Sequence, residues 1–340
     1  MFVKRWQALT AVSSFLFFSS VHYSKFETNF FSDSKNVSSS LNIIPTQSTS
    51  ELRDRKSPEA TPFSNISYVN ATFFIEVRGK PDLSCRQICA VEAAVTAHSD
   101  YPVIVYMTGF NGTLSPWMET SPNLYVRKLN LDELILNTHL ENVYADKNFR
   151  DSPIVEHVSD LSRIALLKQH GGLYMDIDMI LMKPALNFGS FMVKNQGNGV
   201  LRFDEASPLL VKVYELLGNI KYNRDDYNLL GAKIIKKAVK EVCYSNDCAL
   251  DYEKAGEICY INFVDNELFS PVPWFEFKKL FTRNINLDNF RPKVVKKAVA
   301  FHFAGHVTNS IPVFKNGSSL FNEIAKKYCP KIYRSFPDIY

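Results

Sequence analysis

Apolar positions along the chain fall into runs of distinct period. Thr72-Phe73-Phe74-Ile75-Glu76-Val77 and 102–107 are short, nearly unbroken apolar runs, the pattern of strands buried on both faces. A weaker strand is expected at 124–126. Between the first two, 86–98 sets Ile88, Val91, Ala94 and Val95 on one side of a helix. The stretch 154–170 does the same with apolar residues at 154, 158, 161, 164, 165 and 167. Strand–helix–strand at this spacing predicts an α/β fold: a mostly parallel, Rossmann-like sheet with right-handed crossovers, flanked by helices. Farther on, 203–217 reads as strand edge, turn and helix. A helix is expected to open at Tyr227-Asn228-Leu229-Leu230-Gly231 and run to Val242, and 298–306 is an apolar strand ending at a histidine.

The centre of the pattern is Gly171-Gly172-Leu173-Tyr174-Met175-Asp176-Ile177-Asp178. The glycines stand where a helix C-cap belongs. The alternation that follows predicts a strand with Met175, Ile177 and Met179 on one face and Asp176 and Asp178 on the other. Paired carboxylates at a strand end suit a hard divalent cation and the phosphates it binds, and strand ends are where open α/β sheets take ligands. An isolated Asp-x-Asp is common on solvated edges; the helix, glycine stop and strand ahead of it make this one a candidate metal–diphosphate site.

Composition adds topology. Lys4 and Arg5 precede an apolar segment at 6–23, long enough for a membrane helix. The positive-inside rule then leaves 1–5 as a cytoplasmic tail and the remainder lumenal; a cleaved signal peptide is the alternative. The stretch 24–68 is rich in Ser, Thr and Asn without sustained periodicity and is expected to be a flexible stem. That leaves 69–340 as the globular domain. Sequons at Asn36, Asn65, Asn70, Asn111 and Asn316 suit a lumenal chain. Six cysteines, at 85, 89, 243, 248, 259 and 329, favour disulfides there, with the pairing left open. The net charge is only +4 and no basic block interleaves with aromatics, so nucleic acid is not the expected partner.

Ser159-Asp160-Leu161-x-Arg163 followed by Gly171-Gly172-x-Tyr174-x-Asp176-x-Asp178 resembles the DXD sugar transferases of the α-1,4-galactosyltransferase and α-1,4-N-acetylglucosaminyltransferase family, relatives of globotriaosylceramide synthase. Phe73-Phe74-Ile75-Glu76 with Arg86-Gln87-x-Cys89-Ala90-Val91-Glu92-x-Ala94 resembles the opening of that family, 269–274 its proline-and-tryptophan segment, and Tyr328-Cys329-Pro330 its C-terminus. The resemblance implies a GT-A type fold, and a Golgi-resident type II enzyme that retains anomeric configuration. It implies a UDP-galactose, UDP-GalNAc or UDP-GlcNAc donor, a glycolipid or glycan acceptor, and manganese(II) or magnesium.

Site roles follow from the same likeness. Asp178 meets the metal directly, and Asp176 reaches the ribose, or the metal through water. Asp160 points toward the sugar hydroxyls and Arg163 toward charge; an ordinary surface ion pair between them is the plainer reading. Tyr174, Glu76 and Arg86 border the donor, with Arg86 either a phosphate contact or a surface arginine paired to an acid such as Glu92. The family's aromatic–Asn–x–Gly segment implies that 227–231 borders the acceptor, with Gly231 as a plain turn residue the alternative, and Trp274 is a stacking platform or a core residue. For the late histidine two registers compete: counting back from Tyr328-Cys329-Pro330 selects His302 as third metal ligand, whereas His306-Val307-Thr308-Asn309 selects His306. His302-x-x-Gly305 also resembles a metal-binding motif of other retaining transferases. Two other classes compete, a metal-dependent phosphatase of the Asp-x-Asp-x-Thr type and a sugar-binding receptor on a degenerate transferase fold. Ile180 stands where the phosphatase needs threonine.

Overall fold

The computed structural model describes residues 68–113, 116–194, 197–243, 252–282 and 293–340. The expected tail, the anchor, the stem up to residue 67, the sequons at Asn36 and Asn65, Cys248 and the side chain of Trp274 lie outside the described residues. No helix among the described residues is long and apolar enough to cross a membrane.

The parallel sheet forms where the apolar runs place it. Strands β1 (Thr72–Glu76), β2 (Val103–Met107) and β3 (Leu124–Lys128) pair in parallel, and β1 also pairs in parallel with β4 (Gly172–Met175). All residues of β1 and β2 are buried, as central strands covered on both faces must be. Beyond β4 come β7 (Val200–Phe203), β6 (Phe191–Val193) and β8 (Asn262–Val264), completing the order β3-β2-β1-β4-β7-β6-β8. Only β7 runs against its neighbours. A two-stranded antiparallel ribbon, β5 (Met179–Leu181) with β9 (Ala300–His302), stands apart from this sheet.

Two helices prepare the site. Cys85–Ala97 starts at a capping box, in which the Ser84 side chain accepts from the Gln87 N–H and Gln87 reaches back to Ser84. Glu156–His170 buries ten consecutive-turn positions, from His157 to Leu167, between the sheet and the helix Pro208–Gly218. Gly171 ends it at φ 64°, its N–H donating to Leu167. Gly172 follows at φ 95°, and a Cβ there would lie 2.6 Å from the Ala71 carbonyl oxygen. The glycine pair therefore stops the helix and lets β4 pack closely against the chain entering β1.

One expectation is corrected here. The strand does not run on through the acids: β4 ends at Met175, Asp176–Asp178 form a turn closed by Met179 N–H to the Asp176 carbonyl, and the chain resumes as β5 in the other sheet. Aspartates are poor strand formers, and the alternation of Met175, Ile177 and Met179 runs through the change of sheet without registering it. The helix expected from Tyr227 is likewise interrupted. Leu229–Lys233 is a π-type turn with Gly231 at non-helical φ −98°, ψ −106°, and the regular helix begins at Ile234.

Candidate active site

Asp176 and Asp178 sit at the carboxyl end of β4, on the wall of a cavity of about 370 Å³. The β5–β9 ribbon aligns Met179 with His302, so the register itself carries His302 to the acid turn. His302 Nε2 lies 3.2 Å from Asp178 Oδ1. Ligand atoms of Asp176, Asp178 and His302 all fall within 4.8 Å of one another. Asp178 Oδ2 accepts the Gly305 N–H at 2.7 Å, whereas Asp178 Oδ1 is buried without a hydrogen-bond partner, its approach to His302 lacking hydrogen-bond geometry. A buried carboxylate oxygen facing an imidazole nitrogen across such a gap is what a divalent cation would fill, and an O,O,N donor set suits manganese or magnesium. The residues fit the metal that the resemblance implied. His306, the competing histidine, lines the cavity mouth instead, 3.7 Å from Glu156.

Arg163 organises the floor. It is 5% exposed, with Asp160 at 3.2 Å on one side and Asp176 at 3.3 Å on the other, so the surface-pair reading is replaced by a buried bridge. The guanidinium lies 4.4 Å over the Tyr174 ring and donates to the Asn198 carbonyl and the Ser159 hydroxyl. Tyr174 in turn donates its hydroxyl to Asp176 at 2.8 Å. Asn198 donates its side-chain amide to Asp160 Oδ1 at 2.6 Å. The other Asp160 oxygen faces Gly231, where a Cβ would come within 2.9 Å. The glycine kink thus leaves room beside Asp160.

These charges differentiate the acids. Burial pushes Asp176 up, Arg163 pulls it back and the Asp178 charge adds to the rise, so its carboxyl sits above the ordinary range. Burial also pushes Asp178 up, but His302 and the Gly305 N–H outweigh it and hold the carboxyl below that range. Burial lowers His302 and the Asp178 charge more than restores it, leaving the imidazole raised. Burial opposes the charge of Arg163; Tyr174, Asp176 and Asp160 more than compensate, and its pKa is raised. The arrangement keeps Asp178 ionised against the His302 imidazole, while Arg163 offsets the charge of Asp176.

Glu76 lines the cavity at the end of β1, its carboxylate held by the Arg78 N–H at 2.8 Å and by the Gln87 side chain. Arg86 does not line it, which corrects both of its expected roles. Its guanidinium is buried and donates to the carbonyls of Thr308 and Ile311, while Glu92 accepts the N–H groups of Lys331 and Ile332. Tyr227 and Asn228 do line the cavity. Asn198, Gln87 and Asn309 were not anticipated. Asn198-Gly199 carries only a turn signal, and nothing local ties Asn309 to acids so far upstream.

Two conserved regions account for most of the domain. The glycosyltransferase sugar-binding region containing the DXD motif matches residues 84–195, and the alpha 1,4-glycosyltransferase conserved region matches residues 203–336. Lactosylceramide 4-alpha-galactosyltransferase of Mus musculus is 26% identical over 291 residues, covering 80% of this chain and 78% of that protein. Alpha-1,4-N-acetylglucosaminyltransferase of Homo sapiens is 23% identical over 288 residues, covering 79% and 81%. Among solved structures, the galactosyltransferase LgtC, in complex with donor and acceptor sugar analogues, overlaps at TM-score 0.36 and 13% identity, covering 78% of this chain and 96% of that one. With the DXD region ending just beyond the acid turn and the second region carrying the histidine, the chain carries both conserved regions of the alpha 1,4-glycosyltransferases and is a glycosyltransferase.

Proposed function

We propose that the protein transfers a hexose or N-acetylhexosamine from a UDP-sugar, in α-1,4 linkage and with retention, to a hydroxyl of a glycolipid or glycan. The fold proposed for it is of GT-A type, and the place proposed is the Golgi lumen behind a single type II anchor. The carrying observation is the convergence of Asp176 and Asp178, inside the region that matches DXD transferases, with His302, inside the alpha 1,4-glycosyltransferase region, beside a buried carboxylate oxygen that has no hydrogen bond. The relatives' names supply the sugar and acceptor classes.

In the transfer, the bond from the anomeric carbon to a diphosphate oxygen breaks and that carbon bonds to the acceptor oxygen. UDP departs with the electron pair, and the acceptor's proton is lost. Asp178 Oδ1 and His302 Nε2, with Asp176 near them, would hold manganese or magnesium, which supplies Lewis-acid charge for the leaving diphosphate. Gly305 N–H fixes the rotamer of Asp178, so that Oδ1 faces the imidazole. Arg163 keeps Asp160 and Asp176 apart and oriented, and Asp160 offers its Gly231-facing oxygen to a sugar hydroxyl. Glu76, which also lines the cavity, would border the nucleotide.

The test is a donor screen on the purified protein: UDP-galactose, UDP-GalNAc and UDP-GlcNAc, each with and without manganese, against lactosides and lactosylceramide. Metal-dependent transfer of one sugar is expected. Metal-dependent UDP-sugar binding without turnover of any donor would select the receptor, and turnover of phosphomonoesters alone the phosphatase.

A further inference from the structure

The cavity wall that carries Gly305, His306, Val307 and Asn309 is held from behind by a residue that never enters the cavity. Gly305–Thr308 is a single helical turn. Its last carbonyl, on Thr308, accepts the Ile311 N–H at 2.9 Å and keeps a second acceptor position. Arg86 takes that position: Nη1 donates to Thr308 O at 2.8 Å, and Nη2 donates to the Ile311 carbonyl, with the Tyr340 carbonyl a longer acceptor at 3.4 Å. The guanidinium is 5% exposed and lies 4.5 Å over the Phe281 ring, so its direction is fixed by packing as well as by its acceptors. At the other end of the same turn, Gly305 N–H donates to Asp178 Oδ2. Ala304, just before it, is held at φ 47°, a left-handed conformation that alanine avoids unless its surroundings enforce it.

The geometry points to Arg86 as a positioning residue for the donor site. It pins the Thr308–Ile311 end of the loop, so that Gly305 N–H stays on Asp178 and leaves Asp178 Oδ1 facing His302. Its role is transmitted through the loop, without contact to substrate. The same helix face also carries Cys89 and Glu92, which bind Cys329 and the Lys331 and Ile332 N–H groups. Those two anchors hold the C-terminal segment; Arg86 alone of the three reaches the loop beside the acids. The consequence for metal binding rests on the proposed function, whereas the clamp on the loop does not.

The experiment compares Arg86→Met with Glu92→Gln, a control that loosens the same C-terminal segment without touching 305–311. Hydrogen exchange is followed by peptide in the full-length protein, and manganese alone is titrated by thermal shift. In Arg86→Met, amides of 303–311 should exchange at least tenfold faster than in wild type, and the manganese midpoint should rise about tenfold. With Glu92→Gln both should stay at wild-type values even where Tm falls as far. Arg86→Lys keeps one donor and should recover part of the loss; it is the variant measured if Arg86→Met does not accumulate. Unchanged exchange at 303–311, or equal acceleration there in Glu92→Gln, overturns the proposal. Absence of any manganese shift in wild type would count against the metal reading, and the exchange pattern would still decide the role of Arg86.

Discussion

Asp178 and Arg163 show two ways in which a single residue sustains this site. Asp178→Asn keeps the acceptor for Gly305 N–H and the shape of the turn but removes the charge that faces His302. The expected result is loss of transfer by about a hundredfold or more, with Tm changed by only a few degrees. Manganese with UDP should raise Tm in wild type and not in the variant, since only a ligand of the folded state stabilises it. Retained transfer with an unchanged metal shift would remove Asp178 from the site. Arg163→Met acts on stability instead. It leaves the buried Asp160 and the partly exposed Asp176 without their shared cation; breaking a fully buried pair costs about 3–5 kcal/mol, and the solvent reaching Asp176 brings the expected loss toward the lower end of that range. Urea unfolding of the variant should show that loss. A loss under 1 kcal/mol would mean that the two acids take up protons or rearrange at little cost.

At the scale of elements, what was legible in the sequence follows from how local each signal is. Runs β1 and β2 and the helix Glu156–His170 announce themselves because burial imposes a period on neighbouring residues. The switch of sheets at Asp176 leaves no such trace, since Met175 and Met179 are both buried and the alternation continues across the turn. Which histidine joins the acids was open from sequence because it depends on a register between β5 and β9, far apart in the chain. Arg86 was misplaced for the same reason: its acceptors lie 222 and 225 residues away. Element joins also make a pH prediction. His98 sits between Thr72 at the start of β1 and the Ala185 N–H, its Nδ1 2.8 Å from the threonine hydroxyl and its Nε2 accepting from the amide. Burial, aided by Arg202, lowers its pKa to about 4. The unfolded chain takes up a proton near pH 6.5 and the folded chain does not, so stability is full above that pH and falls as pH drops toward 4. The loss should approach about 3 kcal/mol, and His98→Gln should flatten the Tm profile between pH 7 and 4. An equally steep profile in the variant would assign the acid sensitivity elsewhere.

For the whole molecule, the two disulfides among the described residues do unequal work. Cys243–Cys259 closes a separation of 16 residues, whereas Cys89–Cys329 closes 240 and joins the first helix to the last. Chain-entropy arguments give roughly 3 kcal/mol for a loop of fifteen residues and nearly 5 for one of a hundred. Cys89→Ser with Cys329→Ser should therefore lower stability by roughly 2–2.5 kcal/mol more than Cys243→Ser with Cys259→Ser. Equal losses in chemical denaturation would show that strain or residual structure sets these values.

The separation of the acid turn from its completing loop has a consequence for biogenesis. Asp178 leaves the ribosome 127 residues ahead of Gly305, the amide that orients it, and Cys89 leaves 240 residues ahead of Cys329. The four parallel strands β1 to β4 are made first and can pair while the rest is still being translated. The donor site is finished only when the ribbon closes and the loop docks. A nascent chain stalled near residue 290 should thus resist protease over β1 to β4 while gaining nothing from manganese and UDP. Release of a little more chain would switch that protection on, so catalytic competence is gated by the completion of synthesis.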